Sequence, residues 1–150
     1  MKTLKLASIF IALNLGLGCA STKNTQHSAE VEILSRETGA ITVKSVGYGN
    51  SRVVAIADAQ KNAFRVILFT GFPDNSPLIE NESVARQKSN DYFQRFFAQD
   101  YYKTFMMSST ESSNLIRTDS GNKISVDVKV NTAALRKNLE QNEVVRKFGY

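Results

Sequence analysis

The sequence predicts an α+β domain: an antiparallel sheet of three to four strands with two to three helices packed on one face. In residues 123–130 every second side chain is aliphatic and the others are polar, which is the period of a strand with one buried face. Residues 52–70 have apolar side chains at the 3.6-residue spacing of a helix with one buried stripe. Strand and helix segments do not alternate regularly along the chain, which favours an antiparallel sheet over a parallel one.

The first strand and the turn after it come early in the domain. Residues 41–48 are rich in β-branched side chains and are predicted to be a strand, and residues 30–36 are predicted to be a short strand before it. The sequence Gly47-Tyr48-Gly49 is interpreted as a tight strand-to-helix turn whose glycines need a positive φ. It lacks the remaining residues of dinucleotide and phosphate-binding loops.

Two helices are expected next. Asn50 or Ser51 can cap the first, at residues 52–70, and Gly71 ends it. The proline-rich turn after Gly71 separates it from a second helix, predicted from residue 83 to about residue 100.

The last third of the chain predicts a hairpin and a final helix. Residues 103–109 and 114–118 are predicted to be extended, and the second segment turns back into residues 123–130. Asn131 or Thr132 can cap the final helix, which precedes a short tail.

The N-terminus has the pattern of a bacterial export signal. Lys2 and Lys5 precede a mostly apolar stretch that is too short to span a bilayer, and small residues follow it. Residues 1–18 are therefore predicted to be a signal peptide.

The cleavage site resembles that of bacterial lipoproteins, in which a cysteine receives the lipid. Gly18 and Cys19 stand in the usual order, although Gly16 and Leu17 are exchanged relative to the usual order of the lipoprotein signal. Lipidation of Cys19 is the expectation, and cleavage after Ala20, which would release a soluble protein, is the alternative.

The mature chain is then organised as a lipid anchor, a tether and one domain. Polar residues 19–29 contain the acylated cysteine and a solvated tether, and residues 30–150 are predicted to form a single α+β domain. The expected location is the cell envelope, with the anchor in the outer membrane and the domain facing the periplasm.

Charge and composition exclude several classes of partner. The signal carries Lys2 and Lys5 and no acid, so residues 19–150 have 17 basic and 14 acidic residues of the chain's 19 and 14. This small, dispersed excess predicts no nucleic-acid binding. Cys19 is the sole cysteine and the single His27 lies in the tether, so neither an intramolecular disulfide nor a metal site or cofactor is expected.

Catalytic patterns are weak in this sequence. A Ser–His pair would have to use His27, which falls in the tether instead of a rigid element. The sequence therefore predicts a protein that is not an enzyme, although a hydrolase that uses only two converging carboxylates stays open.

Two groups of residues are candidates for partner binding. Four aromatic residues share one side of the second helix, either as core or as an exposed stripe: Tyr92, Phe93, Phe96 and Phe97. The tail combines two cations and two rings, which either pack on the domain or meet a partner: Arg146, Lys147, Phe148 and Tyr150.

Three motifs carry a resemblance to known proteins: Gly47-Tyr48-Gly49 after a strand, Ala55-Ile56-Ala57-Asp58-Ala59 with Asn62-Ala63-Phe64, and Arg146-Lys147-Phe148-Gly149. From about residue 41 the chain resembles small, largely uncharacterised bacterial envelope lipoproteins, and more distantly the N-terminal domain of the flagellar assembly protein T family. The resemblance implies a non-catalytic α+β module that binds protein in envelope-spanning machinery.

These observations predict an anchored accessory or structural component of a cell-envelope assembly, such as a secretion machine of the type VI kind or a surface appendage. It would bind the bilayer through acylated Cys19 and act through protein contacts. The alternative is an envelope module that binds a small apolar or glycan ligand between the aromatic helix and the sheet.

Overall fold

The computed structural model describes residues 30–119 and 121–147. The predicted signal peptide, Cys19 and the tether lie outside these residues, as do Phe148 and Tyr150. The α+β prediction is confirmed, because an antiparallel sheet and four α-helices make up the described chain. Its five strands are β1 (Val31–Glu37), β2 (Ala40–Gly49), β3 (Met106–Glu111), β4 (Ile116–Thr118) and β5 (Gly121–Asn131).

The sheet is four strands wide, with the order β1-β2-β5-β3, and β4 also pairs with β5. β3 and β4 pair with successive parts of β5, from Glu111 opposite Val126 to Ile116 opposite Lys123. They therefore act as one interrupted edge strand, which raises the strand number to five. The predicted hairpin between residues 114–118 and 123–130 is confirmed.

The first and the last helix lie where the sequence predicts them. α1 (Arg52–Arg65) continues into a π-helical turn (Val66–Thr70), and Gly71 ends it with a φ of 71°. α4 (Thr132–Gln141) is capped by the Asn131 side chain, which accepts a 2.8 Å hydrogen bond from the Ala134 amide.

The second predicted helix is divided. α2 (Glu82–Lys88) ends at Ser89, and α3 (Asn90–Phe93) continues into a π-helical turn (Gln94–Ala98). A 3₁₀ helix (Tyr101–Phe105) follows, so the prediction that residues 103–105 are extended is wrong. The physical reason is that Tyr102 and Phe105, three residues apart, are both buried, and a 3₁₀ turn places such a pair on one side.

The core lies between one face of the sheet and the helices. Alternate residues of the two central strands face it, because Val43 pairs with Val128 and Ile41 with Val130, and all four are buried. The Ser45 hydroxyl, also on this face, donates a 2.7 Å hydrogen bond to the Ala59 carbonyl of α1. The sheet and α1 are thus joined by both apolar packing and a buried polar contact.

Gly47 and Gly49 lie inside β2 and have no positive φ, so the prediction that they need one is wrong. Their role is close approach. A Cβ on Gly47 would overlap with the Ala55 carbonyl oxygen and the Ala59 amide nitrogen of α1. The alanines of α1 and the glycines of β2 therefore let two backbones meet directly.

Candidate functional site

The aromatic side chains proposed as a partner-binding stripe lie in the core. None of the four has more than 9 % of its surface exposed: Tyr92, Phe93, Phe96 and Phe97. Because a buried ring cannot contact a partner, their assignment to a partner-contacting surface is corrected. The core-packing interpretation is confirmed.

Phe96 is the centre of this aromatic cluster. Its ring centroid lies 5.7 Å from that of Phe64, edge to face, and 6.1 Å from that of Phe105, stacked at 20°. Such geometries add to the burial of apolar area. Packed rings fill the region between the aromatic helix and the sheet, where the alternative hypothesis places a small ligand. This packing counts against a ligand-binding site at that position.

Arg86 of α2 covers the outer side of the cluster. Its guanidinium carbon lies 5.0 Å from the Phe69 ring centroid and 5.4 Å from that of Phe93, and Glu82 accepts a 2.7 Å hydrogen bond from its Nε. Cation–π contacts of this kind hold the short helix α2 against the rings. α2 in turn forms one wall of a groove on the surface of the domain.

Two tyrosines of the cluster act as hydrogen-bond donors. Burial raises the pKa of Tyr102 to about 12 and also raises the pKa of Tyr92. The Tyr102 hydroxyl donates to Gln60 Oε1 at 3.2 Å, and the Tyr92 hydroxyl donates to Asn138 Oδ1 at 3.0 Å. Both phenols are protonated at neutral pH and serve to tie helices together.

The end of α4 directs the tail back onto the domain. The Glu143 amide bonds the Glu140 carbonyl at 3.2 Å, and the Val144 amide bonds the Leu139 carbonyl at 2.9 Å, while Glu143 has a φ of 58°. This pattern is a Schellman motif, in which a left-handed residue closes the helix. Val144 and Val145 then pack against the core. The rings Phe148 and Tyr150, on which the expectation of a tail packed on the domain depends, lie outside the described residues.

A groove of about 940 Å³ lies between this tail and the segment that leads into α2. The amides of Leu78 and Ile79 donate to the carbonyls of Ile67 and Leu68, which fixes that segment on the π-helical turn after α1. The groove wall is apolar at six positions: Leu78, Ile79, Val84, Ala85, Val144 and Val145.

Charged side chains of both signs also line this groove. Arg136 Nε of α4 lies 3.2 Å from Glu140 Oε1, so these two charges compensate each other. Lys88, Arg146 and Lys147 also line the groove. The structure thus brings the predicted tail cations Arg146 and Lys147 to one site, and separates them from the predicted aromatic stripe.

Most residues of the groove were not predicted from the sequence. Val84 is 42 % exposed although it is aliphatic, and the apolar residues Leu78 and Ile79 directly follow the proline-rich turn. A valine on the outer side of a short helix is a signal that could have indicated this surface. The rest of the wall, Val144 and Val145, is placed by the way α4 ends, and no local sequence pattern predicts that ending.

Within residues 30–119 and 121–147, no group of three or more metal-binding side chains is placed to hold an ion. In the same part of the chain, no helix has the length and apolar character needed to cross a membrane.

Comparison of the chain with known protein families, with curated proteins and with solved structures finds no match. The resemblance to envelope lipoproteins and to the flagellar assembly protein T family stays a prediction from the motifs named above.

Proposed function

We propose that this chain is a membrane-anchored, non-enzymatic accessory or structural lipoprotein of a cell-envelope assembly, such as a secretion machine of the type VI kind or a surface appendage. It acts through protein–protein contacts, and acylated Cys19 holds it at the outer membrane with the domain in the periplasm. The export signal supports the anchor.

The observation that carries the proposal is the groove between the tail and α2. Its lining combines apolar side chains with charged ones, and protein interfaces likewise combine a desolvated apolar centre with a polar rim. Cations and carboxylates are both present among the lining side chains. A segment of a partner protein that carries apolar side chains between charges of both signs fits this surface best.

The groove role is tested by site-specific crosslinking in the native envelope. A photo-reactive residue at Val84 should capture one stoichiometric partner, whereas the same residue at Met107 should not. Met107 is a suitable control because it is 56 % exposed and lies on β3, outside the groove. Val84→Glu should abolish co-purification of that partner and Met107→Glu should leave it unchanged. The proposal is contradicted if no partner is crosslinked at Val84, or if the partner co-purifies equally with Val84→Glu and Met107→Glu.

The anchor is tested separately by intact mass. Protein extracted from membranes should carry two or three acyl chains on Cys19, because two chains anchor stably and one does so only marginally. Cys19→Ser should move the protein to the soluble fraction. A mature protein that begins at Ser21 with no acyl group overturns the anchored location.

A further inference from the structure

The chain enters the described domain at one particular end of the sheet. The Glu30 carbonyl accepts a 3.1 Å hydrogen bond from the Val46 amide, and the Glu30 carboxylate lies 3.0 Å from Lys123 Nζ. Lys123 stands near the start of β5, opposite Tyr48 near the end of β2. Residue 30 therefore lies where β2 ends and β5 begins, which we call the entry end.

Two further elements meet at the entry end. Ile116 of β4 pairs with Lys123, so Tyr48, Lys123 and Ile116 form a row across three strands. The first turn of α1 is here as well, because Gly49 lies so close to Val54 that a Cβ added to the glycine would be 2.7 Å from Val54 Cγ1. The entry end thus consists of the last residues of β2, the β4–β5 hairpin and the start of α1.

Exposed aliphatic side chains are concentrated at this end. Of the six exposed large apolar residues in the described part of the chain, three belong to it: Val53 at 76 %, Ile116 at 54 % and Val54 at 47 %. The other three are distributed over β1, α2 and β3. Single exposed apolar residues are ordinary on a protein surface, whereas three at the end where the chain enters the domain are placed to meet the surface to which that chain is attached.

The charges at the entry end are balanced. Arg52 forms an ion pair with Glu111, and Lys123 forms one with Glu30. A balanced surface gives little attraction to anionic lipid, so a contact made here depends on the aliphatic side chains instead.

The length of chain before Glu30 indicates what this surface meets. Eleven residue steps separate Cys19 from Glu30, and a polypeptide of that length spans about 40 Å at most in any conformation. A lipid on Cys19 therefore keeps the entry end within about 40 Å of the bilayer, because the tether joins the domain at this end.

We propose that the entry end, with Val53, Val54 and Ile116, lies against the surface of the lipid bilayer and orients the domain on the membrane. This inference rests on the proposed acylation of Cys19. The aliphatic side chains enter the interfacial region of the bilayer, where burial of apolar area stabilises binding. The opposite end of the sheet, with the β1–β2 turn around Thr38, faces away.

The test uses the full-length acylated protein in vesicles of phosphatidylethanolamine and phosphatidylglycerol that contain a nitroxide-labelled lipid. A fluorophore is attached through Val53→Cys or, as the matched control at the far end, through Thr38→Cys; acylated Cys19 offers no thiol. The Val53 label should be quenched at least twofold more than the Thr38 label. The ratio should be unchanged at high salt and in phosphatidylcholine vesicles, because the charges are balanced.

A second pair of variants separates a specific contact from simple proximity. Ile116→Asp should reduce the quenching of the Val53 label about twofold, whereas Met107→Asp, at a position of nearly equal exposure on β3, should not. Equal quenching of both labels in acylated protein overturns the orientation and leaves the anchor intact. Protein that vesicles do not retain, with an unmodified Cys19 by mass, overturns both proposals.

Discussion

The backbone amide of Tyr48 donates a 3.0 Å hydrogen bond to Asp58 Oδ2, which joins β2 to α1 beyond the point where β1 stops pairing with β2. On its other side β2 still pairs with β5 here, since Tyr48 lies opposite Lys123. One turn further along α1, Asn62 Nδ2 donates to the Val46 carbonyl at 3.0 Å and to Asp58 Oδ2 at 3.2 Å. Two side chains of a helix thus satisfy the polar edge that β1 leaves open. The motifs in β2 and α1 that carry the resemblance therefore have a structural explanation. Gly47 and Gly49 let α1 pack closely on β2, and Asp58 and Asn62 of α1 form hydrogen bonds to the backbone of β2.

Asn62→Ala should destabilise the domain by about 1–3 kcal/mol, because it leaves the Val46 carbonyl buried with no donor. Asn62 is itself buried, so water cannot replace the lost amide without rearrangement. Urea denaturation followed by circular dichroism measures the change. Gln87→Ala, at an exposed position of α2, is the control and should shift stability by less than about 0.5 kcal/mol. Equal effects of the two substitutions would contradict the role given to Asn62.

Gly47→Ala should lower the free energy of unfolding by about 3 kcal/mol or more. The added Cβ overlaps with backbone atoms of α1, and no side-chain rotation can relieve this overlap. Ser35→Ala, at an exposed position of the edge strand β1, should have little effect. Thermal unfolding of the two variants compares them directly. A stable Gly47→Ala protein would show that α1 can move away from the sheet and that close approach is not required.

Local patterns predicted the elements whose own residues determine their structure. The alternation in β5, the caps Ser51 and Asn131, and the helix end at Gly71 all follow from side chains within a few residues. The predicted α+β class followed from those elements. The 3₁₀ helix at Tyr101–Phe105 was missed, because its spacing depends on which rings the rest of the core can accept.

The candidate site was predicted only in part, for a physical reason. Arg146 and Lys147 were recognised as tail cations, but the wall they face is contributed by Leu78 and Val84, more than sixty residues earlier. Their meeting depends on the left-handed turn at Glu143, a conformation that a glutamate rarely adopts and that no local signal marks.

Asp100→Asn should weaken the acid dependence of stability. Hydrogen bonding to Lys103, and then to Lys61, holds the pKa of Asp100 below its usual value. A lowered pKa in the folded state gives stability that is present above the unfolded pKa, about 3.9, and is lost as pH falls through the folded value. Asparagine tolerates the left-handed backbone of Asp100, so the substitution changes mainly the charge.

The expected difference between wild type and Asp100→Asn is less than about 1 kcal/mol at pH 7, because these ion pairs are partly exposed. The melting temperatures of the two proteins, measured between pH 7 and pH 2, should begin to converge at the unfolded pKa of Asp100 and coincide below its lower folded pKa. If the difference in melting temperature between wild type and Asp100→Asn stays constant from pH 7 to pH 2, the effect of the substitution comes from packing and not from charge.

Glu143→Gly should stabilise the domain by about 0.5–1 kcal/mol, because glycine adopts a left-handed conformation without the steric cost that a side chain carries. Glu143→Ala removes the same carboxylate but keeps a Cβ, so it should bring no such gain and serves as the matched control. Urea denaturation of the two variants separates the backbone effect from the charge effect. The amide bonds of Glu143 and Val144 to the end of α4 are preserved in both, so the tail and the groove wall at Val144 and Val145 should stay in place. If alanine stabilises as much as glycine, the charge of Glu143 and not its backbone conformation is the source of the cost.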